Sequence, residues 1–280
     1  MSNNLIKNLI NTLLVFMILG FIITFRFFVL DIYRIQSNSM NPTLISGDYV
    51  VVSKIAYNPR IINIWKLIFS RQVEFIWFKG LTQVEKDDII VFNYPQYEYL
   101  ADSVKFIYGT TFIKRCIGIP GSTIRITRIG SQYDGSYNNY NNIFPYDTAL
   151  QWSVGNFGPL YVPCKDDLLE LKPENVRHYR NVLLYENSII QILNDSVFLN
   201  SVFISKYCLK YNYYFMLGDN FYQSKDSRYW GFLPETHIIG KATRILFSID
   251  HNAKYFKKVR WNRILRKIES NTPEYILTDK

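Results

Sequence analysis

The pattern of apolar and polar positions changes once, near residue 26. From Asn8 to Phe25 the chain carries 18 residues without a charge, mostly Leu, Ile, Phe, Val and Met, between Lys7 and Arg26. As a helix rising about 1.5 Å per residue, such a run spans roughly 27 Å, close to the hydrocarbon thickness of a bilayer. A cleaved leader would have a shorter apolar region followed by small residues, whereas Phe25-Arg26-Phe27-Phe28-Val29-Leu30 comes next here. The reading is an uncleaved single transmembrane helix within residues 1–30. Its flanking charges do not orient it, because Lys7 and the α-amine on one side face Arg26 and Arg34 on the other. No later stretch rivals it, since Lys66, Arg71 and Glu74 interrupt the apolar run over 61–78.

Beyond Tyr49, short runs rich in Val, Ile, Tyr, Phe and Thr recur between turn signals. They include Tyr49–Val52, Ile89–Phe92, Thr111–Ile113 and Thr123–Ile126. β-Branched and aromatic residues suit a pleated, half-buried surface, so the expected fold class is mostly β. Residues 130–143 are polar, Gly- and Asn-rich and aperiodic, which predicts a loop. Strand-like runs resume at Val182–Tyr185, Ile189–Leu193 and Ser196–Leu199, then lead into Tyr213–Leu217. The organisation expected is a β core over 31–128 and 211–250, interrupted by an inserted secondary β subdomain over 129–210. In the last part, 251–280, Trp261, Ile264, Leu265 and Ile268 fall at i, i+3, i+4, i+7, with Arg260, Arg263, Arg266 and Lys267 between them. That spacing predicts a basic amphipathic helix, able either to lie on anionic lipid or to pack on its own domain.

Composition narrows the class. The chain has 280 residues, 48% hydrophobic and 17% aromatic, which excludes a disordered or low-complexity protein. The net charge of +9 suits anionic lipid or an acidic partner. No helix-turn-helix, zinc-finger or RNA-binding signature accompanies it, so nucleic acid is not expected. Cys116, Cys164 and Cys208 form neither a short-spaced metal motif nor a dense disulfide framework. His178, His237 and His251 lie far apart, leaving little for a His-based triad or metal site.

Three polar islands carry candidate chemistry. The first is Ser37-Asn38-Ser39-Met40-Asn41-Pro42-Thr43-Leu44, soon after the apolar run. The second, Phe112-Ile113-Lys114-Arg115-Cys116-Ile117-Gly118-Ile119-Pro120-Gly121, places two cations between an apolar strand and a turn. The third runs from Gly218-Asp219-Asn220 through Ser224, Asp226, Ser227 and Arg228 to Gly231. Each alone reads as an exposed turn or a supported strand end. Together with Asp88-Ile-Ile-Val-Phe, in this order and behind an apolar helix, they resemble the type I signal peptidases, membrane-bound serine proteases of family S26.

The resemblance covers about residues 5–128 and 211–250 and implies a signal-peptidase-type β domain. It makes Ser39 the nucleophile and Lys114 the general base, with no cofactor and no metal. A free lysine titrates near 10.4 and is charged at pH 7, so the site must desolvate the amine, and Phe112, Ile113, Ile117 and Ile119 are suitable material. It further implies an oxyanion hole from the Ser39 N–H and Ser37, with Ser224, Asp226 and Arg228 supporting the dyad. Tyr33, Ile35, Met40, Phe112 and Ile113 stand where the family binds small residues at −1 and −3. Arg115 reads as structural. The implied setting is the bacterial inner membrane, with the catalytic domain outside the cytoplasm. The implied partners are the signal peptides of secreted precursors, the lipid bilayer and the protein-export machinery.

The chain departs from the family at two places. Phe221-Tyr222-Gln223 replace the usual Arg-Asp-Asn, and Asp87 replaces the Gly of Gly-Asp-x-Val-Val-Phe. The first departure motivates an alternative, a catalytically impaired relative that only binds signal peptides. A self-cleaving regulatory protease would need a DNA-binding domain and an internal Ala-Gly-like site, and neither is present. The aromatic stretch within 53–86, with Trp65, Trp77 and Phe78, reads as an insertion facing the membrane.

Overall fold

The computed structural model describes residues 3–57, 59–62, 64–70, 75–98, 103–127, 143–186, 189–194, 196–269 and 276–279. A 26-residue helix, α1 (Asn3–Phe28), opens the chain and leaves Leu13, Phe16, Met17 and Phe21 exposed. The strands β1 (Leu30–Arg34), β2 (Asp48–Ser53) and β3 (Arg60–Ile62) follow, then α2 (Ile64–Ser70), β4 (Phe75–Trp77), β5 (Ile89–Glu98), β6 (Ser103–Gly118) and β7 (Thr123–Thr127). Next come β8 (Asn156–Tyr161), β9 (Leu168–Glu170), α3 (Pro173–Glu186), β10 (Ile190–Leu193), β11 (Ser196–Leu199), β12 (Val202–Phe203) and β13 (Lys206–Cys208). The chain closes with β14 (Tyr213–Leu217), α4 (Ser227–Trp230), β15 (Leu233–Pro234), β16 (Ile238–Ser248) and β17 (Ile276–Asp279).

The fold is mostly β, as its residue pattern implies. A seven-stranded antiparallel sheet in the order β1-β2-β16-β5-β6-β14-β15 carries the islands. β2 alternates buried and half-buried positions, the period of a strand with one face on a core. β14 is buried at every position, matching its unbroken apolar run. One core, built from Ile35, Met40, Leu44, Val50, Ile89 and Val91, packs beneath the loop between β1 and β2.

Residues 143–210 are less β-rich than the sequence pattern suggests. Val182–Tyr185 end the 14-residue helix α3, not a strand. Pro173 opens that helix, Glu174 follows in its first turn, and both suit a helix N-terminus. A short apolar run does not distinguish a strand from a helix buried on two sides, and α3 is the latter. Val182 joins the core of Phe157, Phe215 and Phe232, while Val176, Leu183 and Leu184 pack with Ile190, Val197 and Leu199. Residues 143–210 therefore share a core with the seven-stranded sheet through one side of α3. The loop expected over 130–143 lies outside the described residues up to 142.

The amphipathic helix expected near the C-terminus does not form. Residues Tyr255–Lys258 and Trp261–Arg263 make 3-10 turns. The backbone around them bonds to the sheet instead, with the Ile245 N–H donating to the Arg266 carbonyl at 2.9 Å and the Ile268 N–H to the Thr243 carbonyl at 3.2 Å. Trp261 and Leu265, expected on the apolar face, are exposed, whereas Arg263, expected on the polar face, is buried. Sheet pairing outcompetes helix propensity because it satisfies the same backbone groups while burying a strong side-chain ion pair. The three cysteines are free thiols.

Asp87 explains the glycine usual at its position. Its φ is 74°, in the left-handed region that favours glycine, and its Oδ1 is buried without a hydrogen-bond partner among the described residues. Burial also raises its carboxyl pKa, so the ionised form costs stability at neutral pH and that cost vanishes in acid. Asp87→Gly is expected to stabilise the fold by about 1 kcal/mol at pH 7, with a smaller gain below pH 4, as read from denaturant unfolding midpoints.

Candidate active site

The site is assembled from three elements around one amine. Ser39 lies in the loop joining β1 to β2, which is closed by the Ile35 N–H to the Asp48 carbonyl (2.8 Å) and the Gly47 N–H to the Ile35 carbonyl (2.9 Å). Met40 and Leu44 are fully buried and anchor that loop from below. Lys114 projects from β6, opposite Ile90 of β5. Its side chain is 4% exposed and its Nζ donates to Ser39 Oγ at 2.5 Å. Ser37 Oγ stands 3.2 Å from Ser39 Oγ.

Strand alternation separates the two cations of the second island. Lys114 turns toward Ser39, while Arg115 makes two 2.7 Å bonds to Asp219 and donates to the Asp87 carbonyl at 3.0 Å. Arg115 is thus structural, as its position on the strand implied. No carboxylate among the described residues makes an ion pair with Lys114. Burial dominates its titration and lowers its pKa to about 8, against weaker upward pulls from Asp226 and Asp219. An amine at this value is still mostly charged at pH 7, but roughly one in ten is neutral, far more than for a free lysine near 10.4, and that fraction can accept a proton.

The third island presses against the first. The Asn220 N–H donates to the Ser39 carbonyl at 3.0 Å, and Asn220 Nδ2 to the Asn38 carbonyl at 3.1 Å. This approach needs Gly218, because a Cβ there would lie 2.1 Å from Ser224 Oγ and 2.6 Å from the Ser39 carbonyl oxygen. Asp226 receives the Gly218 N–H (3.1 Å) and pairs bidentately with Arg228 at 2.8 Å for each bond, both side chains being fully buried. Phe221, one of the departures, packs its ring 4.2 Å from the Arg228 guanidinium, and its carbonyl accepts from Arg228 at 2.5 Å. Apolar packing and a cation–π contact fill the place of the usual charges. Gln223 lines the cleft.

A cleft of about 580 Å³ opens in front of the dyad. Its walls include Tyr33, Ile35 and Ser37 on one side and Thr111, Phe112 and Ile113 on the other. β14 pairs with β6 only from Arg115 onward, so residues 110–114 offer a strand edge toward the cleft. Four of the five residues expected to bind substrate line this cleft; Met40 does not, and belongs to the core beneath it. Ser224 is buried, yet its hydroxyl meets no partner among the described residues and makes no bond to Lys114.

The sequence has counterparts among known proteins. The family model described as signal peptidase, peptidase S26, matches residues 6–247. The chain belongs to this family. It is 30% identical over 262 residues to signal peptidase I of Buchnera aphidicola from Acyrthosiphon pisum, covering 85% of this chain and 75% of that one. The Aquifex aeolicus signal peptidase I is 27% identical over 252 residues, with 83% and 82% coverage. That of Pseudomonas aeruginosa is 25% identical over 243 residues, with 83% and 70% coverage. The protein is thus a serine-type signal peptidase, an enzyme whose substrates are precursors bearing signal peptides.

Within this signal peptidase, two features have little signal in the sequence. Gly218 looks like an ordinary turn glycine until the loop it brings close is known. Arg263 is hidden by its place in a helical pattern that the chain does not adopt. Gly218→Ala is expected to lower kcat/KM at least 100-fold by driving the third island off Ser39, measured with an internally quenched peptide. Lys114→Met is expected to raise the unfolding temperature at pH 7, since it removes an amine that burial penalises when charged. By the sign of the shift, that gain shrinks as pH rises toward 10, and scanning calorimetry at both values checks it.

Proposed function

We propose that the protein is a membrane-anchored endopeptidase that removes N-terminal signal peptides from exported precursors by a Ser39/Lys114 dyad, cleaving after small residues at −1 and −3. The observation that carries the reading is the 2.5 Å bond between Lys114 Nζ and Ser39 Oγ, with the amine buried and its pKa lowered to about 8. A serine hydroxyl is a weak nucleophile until a neighbouring base takes its proton, and Ser–Lys pairs are one solution to that requirement.

The chemistry runs in two halves. An extended precursor adds along the 110–114 edge, with Tyr33, Ile35, Phe112 and Ile113 leaving room only for small side chains. Ser39 Oγ attacks the carbonyl carbon of the −1 residue while its proton passes to Lys114. The oxyanion is received by the Ser39 N–H and the Ser37 hydroxyl; losing one such donor costs about 3–4 kcal/mol of transition-state stabilisation. The Lys114 ammonium then protonates the leaving amine, releasing the mature chain and leaving the signal peptide as an ester on Ser39. Lys114, neutral again, deprotonates the water that hydrolyses the ester. Ser224 supports the lysine by rotation of its unpartnered hydroxyl, and the Asp226–Arg228 pair holds the floor.

Anchorage supports the same reading. The unbroken part of α1 with described side chains, residues 7–22, is shorter than the roughly 20 residues a bilayer crossing needs, and among the described residues no helix is long and apolar enough to cross a membrane. What favours a bilayer span is the uncharged run over 8–25 within a 26-residue helix, with Leu13, Phe16, Met17, Phe21 and Ile22 exposed. Exposed Trp65, Phe69 and Phe78 favour contact of the 53–86 segment with the interface; the side chain of Trp77 lies outside those described. In this reading the helix sits in the bacterial inner membrane, the catalytic domain lies on the extracytoplasmic side, and the export machinery delivers the precursor. Tethering the site at the surface raises its effective concentration toward membrane-held substrates.

The test is cleavage of a secreted precursor by the detergent-solubilised chain, followed by gel and by N-terminal sequencing of the product. Cleavage after a small-x-small site by the parent, with none by Ser39→Ala or Lys114→Arg, is the expected result, because arginine does not give up its proton here. The rate is expected to rise with pH through an apparent pKa near 8, since only the neutral amine acts as base. Substantial activity in Lys114→Arg, or a rise only above about pH 10, would rule out the lysine as base.

A further inference from the structure

We infer that Arg263, from the segment after β16, is a positioning residue for the nucleophile, and that the 3-10 turn bearing it completes the active site. This rests on the reading of Ser39 and Lys114 as the reacting pair.

The geometry is specific. Arg263 is 7% exposed and lies where three elements meet. Its Nε donates to Asp48 Oδ1 at 2.9 Å, and one terminal nitrogen donates to Asp48 Oδ2 at 2.6 Å. The same terminal nitrogen donates to the Thr43 carbonyl at 2.9 Å. Asp48 is fully buried, and its Oδ2 also receives the Ile45 N–H at 2.9 Å. Both partners flank the C-terminal half of the loop that holds Ser37 and Ser39. Arg115, the neighbour of the base, reaches Thr43 Oγ1 at 3.4 Å and the Glu269 carbonyl at 3.4 Å. Arg260 adds a bond to the Ser46 carbonyl at 2.9 Å. Two arginines thus hold Thr43, one by its hydroxyl from the strand of the base and one by its carbonyl from the tail.

The physical consequence is a fixed separation between nucleophile and base. The β1–β2 loop is held internally by the Leu44 N–H to the Met40 carbonyl (2.9 Å) and the Asp48 N–H to the Ile45 carbonyl (3.1 Å), and Arg263 adds the tie that fixes this folded loop to the tail at Thr43 and Asp48. Arg263 is suited to this because a guanidinium binds a carboxylate with two parallel bonds and still has a donor left for a carbonyl, whereas an ammonium keeps the charge but not the fork. The Asp48 carboxylate is desolvated, so removing its partner leaves a buried charge that must move or draw in water. Either response shifts the loop, and a displacement of about 1 Å at a reacting atom costs on the order of 100-fold in rate.

The experiment uses the full chain in detergent micelles and compares the parent with Arg263→Lys, Arg263→Ala and a control, Lys257→Ala, on the same exposed tail. Steady-state kinetics and unfolding temperature are measured together, at an assay temperature well below every midpoint. The expected result is a 10- to 100-fold drop in turnover for both Arg263 variants with KM held within about twofold, and no change in the control. Adding millimolar guanidinium ion is expected to restore part of the lost turnover in Arg263→Ala. Should either Arg263 variant be unfolded at that temperature, Asp48→Asn, which keeps the shape and weakens the fork, is expected to show the same loss of turnover. Folded variants with parental turnover would overturn the inference, as would guanidinium that restores the unfolding temperature but not the turnover. A parent that cleaves no precursor, or a Ser39→Ala variant that still does, would instead overturn the underlying reading of the dyad.

Discussion

The structure depends on one uncomfortable placement: a lysine amine buried away from water with a serine hydroxyl as its close partner. Burying an unpaired ammonium is unfavourable, and the chain meets that cost by lowering the affinity of Lys114 for its proton. The same desolvation that weakens the fold makes the group a base at neutral pH. Arg115, one residue on, shows the opposite solution, a buried cation paired by a bidentate aspartate. Strand alternation allows both within one dipeptide.

An amine in this state is useful only if the hydroxyl stays within reach, and the surroundings are arranged to that end. The nucleophile loop is gripped from one side by the third island, through Asn220 and the absence of a side chain at Gly218. From another side it is gripped by Arg263 of the tail. Beneath it, Met40 and Leu44 sit in a core shared with β2 and β5. The buried Asp226–Arg228 pair fixes the third island in turn, and Phe221 under the guanidinium shows how a family position that usually carries charge is filled by a ring.

Much of this is legible in the residues. The β runs at Tyr49–Val52, Ile89–Phe92, Thr123–Ile126 and Tyr213–Leu217 form strands because alternation or unbroken apolarity leaves them few other ways to be buried. The approach of Ser37, Ser39 and Lys114 follows from motif order and not from periodicity. Three expectations fail where tertiary contacts outweigh local pattern. Val182–Tyr185 is helical because α3 is buried on two sides, and Trp261–Ile268 is not helical because sheet bonds and the Asp48–Arg263 pair take its backbone and its charge. Met40 belongs to the core because the loop turns its side chain inward. The unpartnered hydroxyl of Ser224 has no sequence signal, since a serine's rotamer depends on neighbours that are distant in the chain.

The central claim concerns the protonation state of one side chain, and it can be read directly. With 13C at the lysine Cε positions and Lys114 assigned by its loss in Lys114→Met, the chemical shift of that carbon against pH reports the charge on its amine. The account predicts a transition near pH 8, well separated from the remaining lysines near 10.4. A Lys114 signal that stays in the ammonium form until about pH 10 or above would contradict it.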